Sequence, residues 1–175
     1  AERHGSTLDD EGRELLSVIV DTAAAAQAQV KGMLEKRARR DLSSPPLETT
    51  EAQEVFESVL KTLRTQVTEA SAHVTAAGLP SVQIAREELT TLLQNLIENA
   101  LKFHGDDPPE VVVSAERKGG DWLFSVADNG VGVPSDQAEA IFDMFHRGHV
   151  GQGFQGTGIG LAVCWEIVER HGGRM

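Results

Sequence analysis

The stretch from Leu89 to Phe103 constrains this chain more than any other. Apolar residues fall at Leu89, Leu92, Leu93, Leu96, Ile97, Ala100 and Leu101, a spacing of 0, 3, 4, 7, 8, 11 and 12 that marks one face of an α-helix. On another side of that helix Asn95, Asn99 and Lys102 recur at i, i+4 and i+7. Two amides and an ammonium in a row suit a metal-bound phosphate; read alone, they also suit the solvent face of an amphipathic helix. Two glycine clusters follow, Asp128-Asn129-Gly130-Val131-Gly132 and Gly156-Thr157-Gly158-Ile159-Gly160-Leu161. Taken together, the three stretches read as one nucleotide pocket.

Charge narrows what such a pocket can hold. The net charge of the 175 residues is −11, and residues 1–40 balance seven Lys/Arg against seven Asp/Glu, so the whole excess lies in residues 41–175. An acidic domain is a poor partner for a nucleic-acid backbone, which needs cations to neutralise phosphates. A nucleoside triphosphate bound here calls for Mg²⁺ to bridge two negative partners. No run approaches the ~20 apolar residues of a membrane span and no signal peptide is visible, so no membrane contact is expected from this segment. Cys164 is the single cysteine, which excludes an internal disulfide and suits a reducing cytoplasm.

Along the chain, residues 8–39 read as one long helix. Asp9, Asp10 and Glu11 stand near its start and Lys36, Arg37, Arg39 and Arg40 near its end, as the helix dipole favours. Leu16, Ile19, Ala23, Ala26, Val30 and Met33 form a narrow heptad seam that wants a partner helix, from upstream sequence or another protomer. Ser43-Ser44-Pro45-Pro46 is the expected domain boundary. Thr50 is expected to cap a helix over 51–69 with Val55, Val59, Leu60, Leu63 and Val67 on one face. His73–Thr75 and Val82–Ile84 are strand candidates around the turn Gly78-Leu79-Pro80. Glu110–Lys118 and Trp122–Asp128, joined by Gly119-Gly120, read as a hairpin. A short helix over Ala138–Phe145, a glycine-punctuated flexible stretch and a helix over Ile159–His171, stopped by Gly172-Gly173, complete the chain. The expected class is α+β, with helices over one face of a largely antiparallel sheet.

The pocket chemistry follows from residue types. Asp128, at a strand end, offers a carboxylate to an exocyclic amine, and Gly130 and Gly132 let backbone approach a flat base. Asp-Asn-Gly is also a common hairpin turn, so this motif alone does not decide. Backbone N–H groups at the glycine-rich helix start from Gly156 to Gly160 suit phosphate. The G-x-G-x-G spacing, without a preceding strand, excludes a dinucleotide-binding βαβ unit. Phe142 and Phe145 are expected to pack beneath the flexible stretch. His104, His146 and His149 lack metal-ligand partners at useful spacing, and neither a zinc site nor a nucleophilic triad is expected.

Asn95-Leu-Ile-Glu-Asn99-Ala-Leu-Lys102-Phe103 resembles the N box of sensor histidine kinases. Asp128–Gly132, Ile141-Phe142-Asp-Met-Phe145 and Gly156–Leu161 resemble the first glycine box, the phenylalanine box and the second glycine box, in the family's order. Leu8-Asp-Asp-Glu-Gly-Arg-Glu-Leu-Leu16 and Ile167-Val-Glu-Arg-His-Gly-Gly173 are similar to the phytochrome-like branch. The resemblance implies a Bergerat-type (GHKL) ATP-binding α/β sandwich over 45–175, preceded over 1–42 by the second helix of a dimerisation and histidine-phosphotransfer bundle. It implies that Asn99 holds Mg²⁺ beside Asn95, that Lys102 reaches the phosphates of ATP, and that Phe103 lines the base pocket. Asp128 would bind the adenine amine within the first glycine box (Gly130, Gly132). The second (Gly156, Thr157, Gly158, Ile159, Gly160, Leu161) would adjoin the phosphates, and 146–157 would form a mobile lid. A homodimer through the bundle and a response-regulator receiver domain are the implied partners.

The family's phosphoacceptor histidine, in a His-Asp/Glu-Leu-Arg/Gln-x-Pro setting, has no counterpart here, and the role does not transfer to His4. The chain therefore reads as part of a longer kinase, with the acceptor helix upstream and a final strand after Met175. Two rivals stand beside this reading. ATPases of the gyrase, chaperone and mismatch-repair type share the pocket but place a glutamate base where this chain has Asn95, whose amide cannot accept that proton. A non-catalytic module would dimerise through 8–40 and use nucleotide only as a switch.

Overall fold

The computed structural model describes residues 47–138, 140–143 and 158–175. The helix expected over 8–39 with its seam, the 43–46 boundary, Phe145 and the flexible stretch through Thr157 lie outside them. The described elements are β1 (Thr49–Glu51), α1 (Ala52–Thr62), α2 (Arg64–Glu69), β2 (His73–Ala77), β3 (Ser81–Gln83), α3 (Arg86–Lys102), β4 (Glu110–Lys118), β5 (Asp121–Asp128), a 3₁₀ turn (Ala140–Phe142) and α4 (Gly160–Arg170). Among the described residues no helix is long and apolar enough to cross a membrane.

The sheet has order β2-β4-β5, with β4 and β5 antiparallel from Val111↔Asp128 to Lys118↔Asp121. Gly119, at φ +64, closes the expected hairpin. β2 joins β4 in parallel, His73 opposite Glu110 and Ala77 opposite Ser114, the one parallel ladder among the described strands; the other two are antiparallel, as expected. The two strand candidates flanking Gly78-Leu79-Pro80 do not pair with each other. β3 pairs instead with β1, in a separate antiparallel ladder. Thr50 is consequently no helix cap. It lies buried in β1 and its hydroxyl donates to the Ile84 carbonyl at 2.6 Å, so Glu51 takes the position before α1.

Alternation on the strands and periodicity on the helices then define one core. Val111 and Val113 face inward from β4, while Val112 and Leu123 face out. Val113 joins Ala52, Val55, Phe56 and Val59 of α1 and Leu89, Leu93 and Ile97 of α3 in one core cluster. Each fully buried Val or Ile contributes on the order of 1.5–3 kcal/mol against leaving it in water. Helices thus cover one face of the sheet, the two-layer α+β sandwich expected. The helix expected over 51–69 has one irregular residue, Leu63, at φ −87° and ψ 6°. The i→i−4 ladder still runs through it, from Leu63 N–H to Val59 O and from Val67 N–H to Leu63 O, both 2.9 Å. The expected 138–145 helix is reduced, in its described part, to the 3₁₀ turn. α4 ends as expected: Gly172 takes φ +70, its N–H bonds Glu169 O and the Gly173 N–H bonds Val168 O, both 2.9 Å, a Schellman closure.

Candidate nucleotide-binding site

Helix α3 runs between the two glycine clusters and touches both. At its C-terminal end Phe103 accepts a hydrogen bond from Val131 N–H at 2.9 Å through its carbonyl oxygen. A Cβ on Gly130 would stand 2.5 Å from that same oxygen and 2.7 Å from Asp128 Oδ1, so only glycine fits. Asp128 is exposed at the end of β5, and its Oδ1 accepts the Gly130 N–H at 2.8 Å. Gly132 holds φ +71, a backbone state that side chains rarely adopt. Lys102 lies with its Nζ 4.4 Å from the Phe103 ring centroid, a cation–π contact.

In the middle of α3, Asn95 donates from Nδ2 to Thr91 O at 2.8 Å, which leaves its Oδ1 turned to the start of α4. There Gly160 comes so close that any Cβ would collide with the Asn95 amide oxygen. Gly158 holds φ +67, and Ile159, Gly160 and Leu161 are half-buried at the opening of the helix. Asn99, half-buried, is one turn from Asn95 on the same side. Eleven of the thirteen residues named from sequence therefore sit on α3, the 128–132 loop or the start of α4; Gly156 and Thr157 lie outside the described residues. A separate groove of about 480 Å³ runs between α2 and α3, lined by Gln66, Glu69, Ala70, Glu98, Leu101 and Lys102, with no residue from either glycine cluster.

Three features were not singled out from sequence. Asn129 ties the loop to β4, accepting the Glu110 N–H at 2.9 Å and donating to Pro108 O at 3.1 Å. Glu48 accepts the Arg86 N–H at 3.0 Å, satisfying a first-turn donor of α3 that Ala85 has no side chain to cap. Glu88, buried on the inner face of α3, meets Arg170 Nη1 through Oε1 and His171 Nε2 through Oε2, both at 2.7 Å. An acid inside an apolar periodic face was the available signal, since a buried carboxylate needs partners.

Cys164 is buried with its Sγ 4.0 Å from Leu92 O, and burial pushes its thiol up to about 12. Phe142 packs on Trp165 at 5.2 Å between ring centroids. Among the described residues no group of three His, Cys, Asp or Glu could hold a metal ion. The donor set at α3 does fit a phosphate-bridged Mg²⁺, which needs only one or two protein oxygens, such as an Asn99 carbonyl, beside phosphates and water.

Residues 84–175 match the family described as histidine kinase-, DNA gyrase B- and HSP90-like ATPase. Over 99% of its length the chain is 34% identical to cyanobacterial phytochrome A of Nostoc sp. and 32% identical to the phytochrome-like protein Cph1 of Synechocystis sp.. It spans only 22% and 23% of those relatives. The mycobacterial sensor histidine kinase MprB superposes with TM-score 0.62 at 23% identity, over 72% of this chain and 80% of that one. Full-length ShkA in complex with AMPPNP superposes with TM-score 0.67 at 23% identity, over 95% of this chain and 35% of that one. Fold and match together define an ATPase-type α+β sandwich of the GHKL class. The chain belongs to the histidine kinase-, DNA gyrase B- and HSP90-like ATPase family, and over nearly its whole length it is similar to phytochrome-type relatives.

Proposed function

We propose that this chain is the catalytic, ATP-binding portion of a sensor histidine kinase of a two-component system. It binds Mg²⁺–ATP and passes the γ-phosphoryl group to a histidine outside this segment, for relay to a receiver-domain aspartate. The observation that carries the reading is the double contact of α3, with the first glycine cluster through Phe103 and the second through Asn95. It brings the first glycine loop and the start of α4 against one helix, which supports reading the former as base-facing and the latter as phosphate-facing.

In this reading Asp128 accepts from the adenine amine. Gly130, Gly132 and Phe103 bound the base, while Gly156, Thr157, Gly158, Ile159, Gly160 and Leu161 present backbone donors to the phosphates. Lys102 supplies a cation there and Asn99 an amide oxygen for Mg²⁺. Bound Mg²⁺–ATP supplies the phosphoryl group and the charge neutralisation that its transfer requires. The bond from γ-phosphorus to the β-bridging oxygen breaks, a bond to an imidazole nitrogen forms, and ADP leaves. The protein's share is to orient the reactants and exclude water. The AMPPNP in the ShkA complex supports ATP as the nucleotide. In this reading the segment 1–42 belongs to the bundle through which two protomers pair, and the protein works in the cytoplasm.

Asn95 favours transfer over hydrolysis, because its amide cannot act as a water-activating base. Calorimetric titration of the chain with ATP, with Mg²⁺ and with chelator, tests the reading. Mg²⁺-dependent binding is expected, weakened in its Mg²⁺ dependence by Asn99→Ala and in base recognition by Asp128→Asn. Wild-type-like titration of Asn99→Ala under both conditions would remove it from the metal site. Tight binding with no phosphotransfer, in protein carrying its upstream sequence, would make the chain a nucleotide-gated interaction module instead.

A further inference from the structure

Helix α4 packs antiparallel along the N-terminal half of α3, and three contacts set its register. Gly160 meets Asn95, Cys164 meets Leu92, and Arg170 with His171 meets Glu88. The outer two differ in kind. At Asn95 the approach is steric: a Cβ on Gly160 would collide with the Asn95 amide oxygen unless that side chain shifted. At Glu88 it is a polar contact that uses both carboxylate oxygens, an ion pair with Arg170 and a hydrogen bond with His171, while Arg170 Nη2 also holds Glu166 at 3.0 Å. The Glu88 side chain is 11% exposed, against 26% for Arg170 and 23% for His171, so the contact is largely withdrawn from solvent screening. Two helical turns of α3, about 10 Å, separate the two ends.

We propose that Glu88, Arg170 and His171 form a clamp that fixes how far α4 slides along α3, and so positions the second glycine cluster against Asn95. The carboxylate cannot follow a one-residue slip of α4, about 1.5 Å, without losing a partner. The same slip would drive Gly160 into the amide or draw it away. These three are positioning residues, acting on phosphate through the helix that opens at Gly160, just after Gly158. The base-facing group, Asp128 with Gly130, belongs to β5 and its loop and is tied to Phe103 instead, so the clamp leaves it unmoved. The proposal rests on the nucleotide reading of the site, which assigns phosphate to one cluster and base to the other.

The test compares Glu88→Gln, Arg170→Ala and Arg170→Lys with wild type in the 175-residue chain, titrating Mg²⁺–ATP and adenosine separately. Loss of about tenfold or more in ATP affinity with adenosine affinity unchanged is expected for Glu88→Gln and Arg170→Ala, with partial recovery in Arg170→Lys. Unchanged ATP affinity overturns the clamp. So does an equal loss for both ligands, which marks a merely structural ion pair. A second readout needs no nucleotide: hydrogen exchange at the Val163 amide, bonded to Ile159 O in the first turn of α4, against the Val131 amide, bonded to Phe103 O. Faster exchange at Val163 alone supports the clamp, and parallel changes at both overturn it. Should wild type bind neither ligand, the nucleotide reading fails and the exchange comparison decides the clamp by itself.

Discussion

At the scale of single residues, the sign of a substitution depends on one neighbour. Gly160 opens a helix, where alanine ordinarily stabilises through propensity, by up to about 1 kcal/mol in a helix interior. Here a Cβ meets the Asn95 Oδ1, so Gly160→Ala is expected to destabilise by about 1–3 kcal/mol and to weaken ATP binding. In an Asn95→Ala background the collision is relieved and the penalty disappears. Denaturant unfolding of the four-member cycle measures this, and additivity would refute it. Cys164 gives a pH test. Its thiol titrates ordinarily at 9.0 and is pushed up to about 12 by burial. Over that interval the unfolded chain gives up the proton while the folded chain keeps it. The contribution is therefore fully present below 9.0 and is lost as pH rises toward 12. Cys164→Ala is expected to flatten the fall of stability over the same interval, and native protein to resist thiol alkylation near neutral pH, since the thiolate is the nucleophile.

Among the elements, buried polar contacts do the stitching that apolar patterning does not report. Thr50→Val keeps shape but removes the 2.6 Å bond to Ile84 O in the β1–β3 ladder. A loss of about 1–3 kcal/mol in unfolding free energy is expected, because a buried carbonyl is left unpaired; no change would mean that water replaces the hydroxyl. The same contrast explains what could be read in advance. The face of α3 and the β4–β5 hairpin were legible because periods of 3.6 and 2 record which side is buried, and the end of α4 because Gly172-Gly173 stops it. β1 was not, since three residues are too few for alternation and threonine suits both a cap and a strand. Nor was strand partnership: His73–Ala77 alternates identically whether it joins β3 or β4, and only the tertiary fold chooses β4. In the site, the residue types of Asn95, Phe103, Gly130 and Gly160 were legible as motifs. Their contacts were not, and the Glu88 partners stand 82 and 83 residues away.

For the molecule as a whole, the layer that joins helices and sheet is the least tolerant part. Ile97, fully buried on α3, contacts both through the common core. Ile97→Ala is expected to cost about 2–5 kcal/mol by denaturant unfolding, and a loss under 1 kcal/mol would mean that the layer collapses around the gap. The parallel pairing of β2 with β4 adds a consequence in time. The β4–β5 hairpin closes through two glycines, whereas β2 reaches β4 only after residues 78–109, the whole of β3 and α3, have found their places. Long loops of this kind slow assembly more than they weaken its product. The hairpin is thus expected to nucleate early and β2 to arrive late. Rate measurements across denaturant carry the check: Val126→Ala should slow refolding, and Val74→Ala should mainly hasten unfolding. The reverse pattern would show that the crossover, not the hairpin, starts the fold.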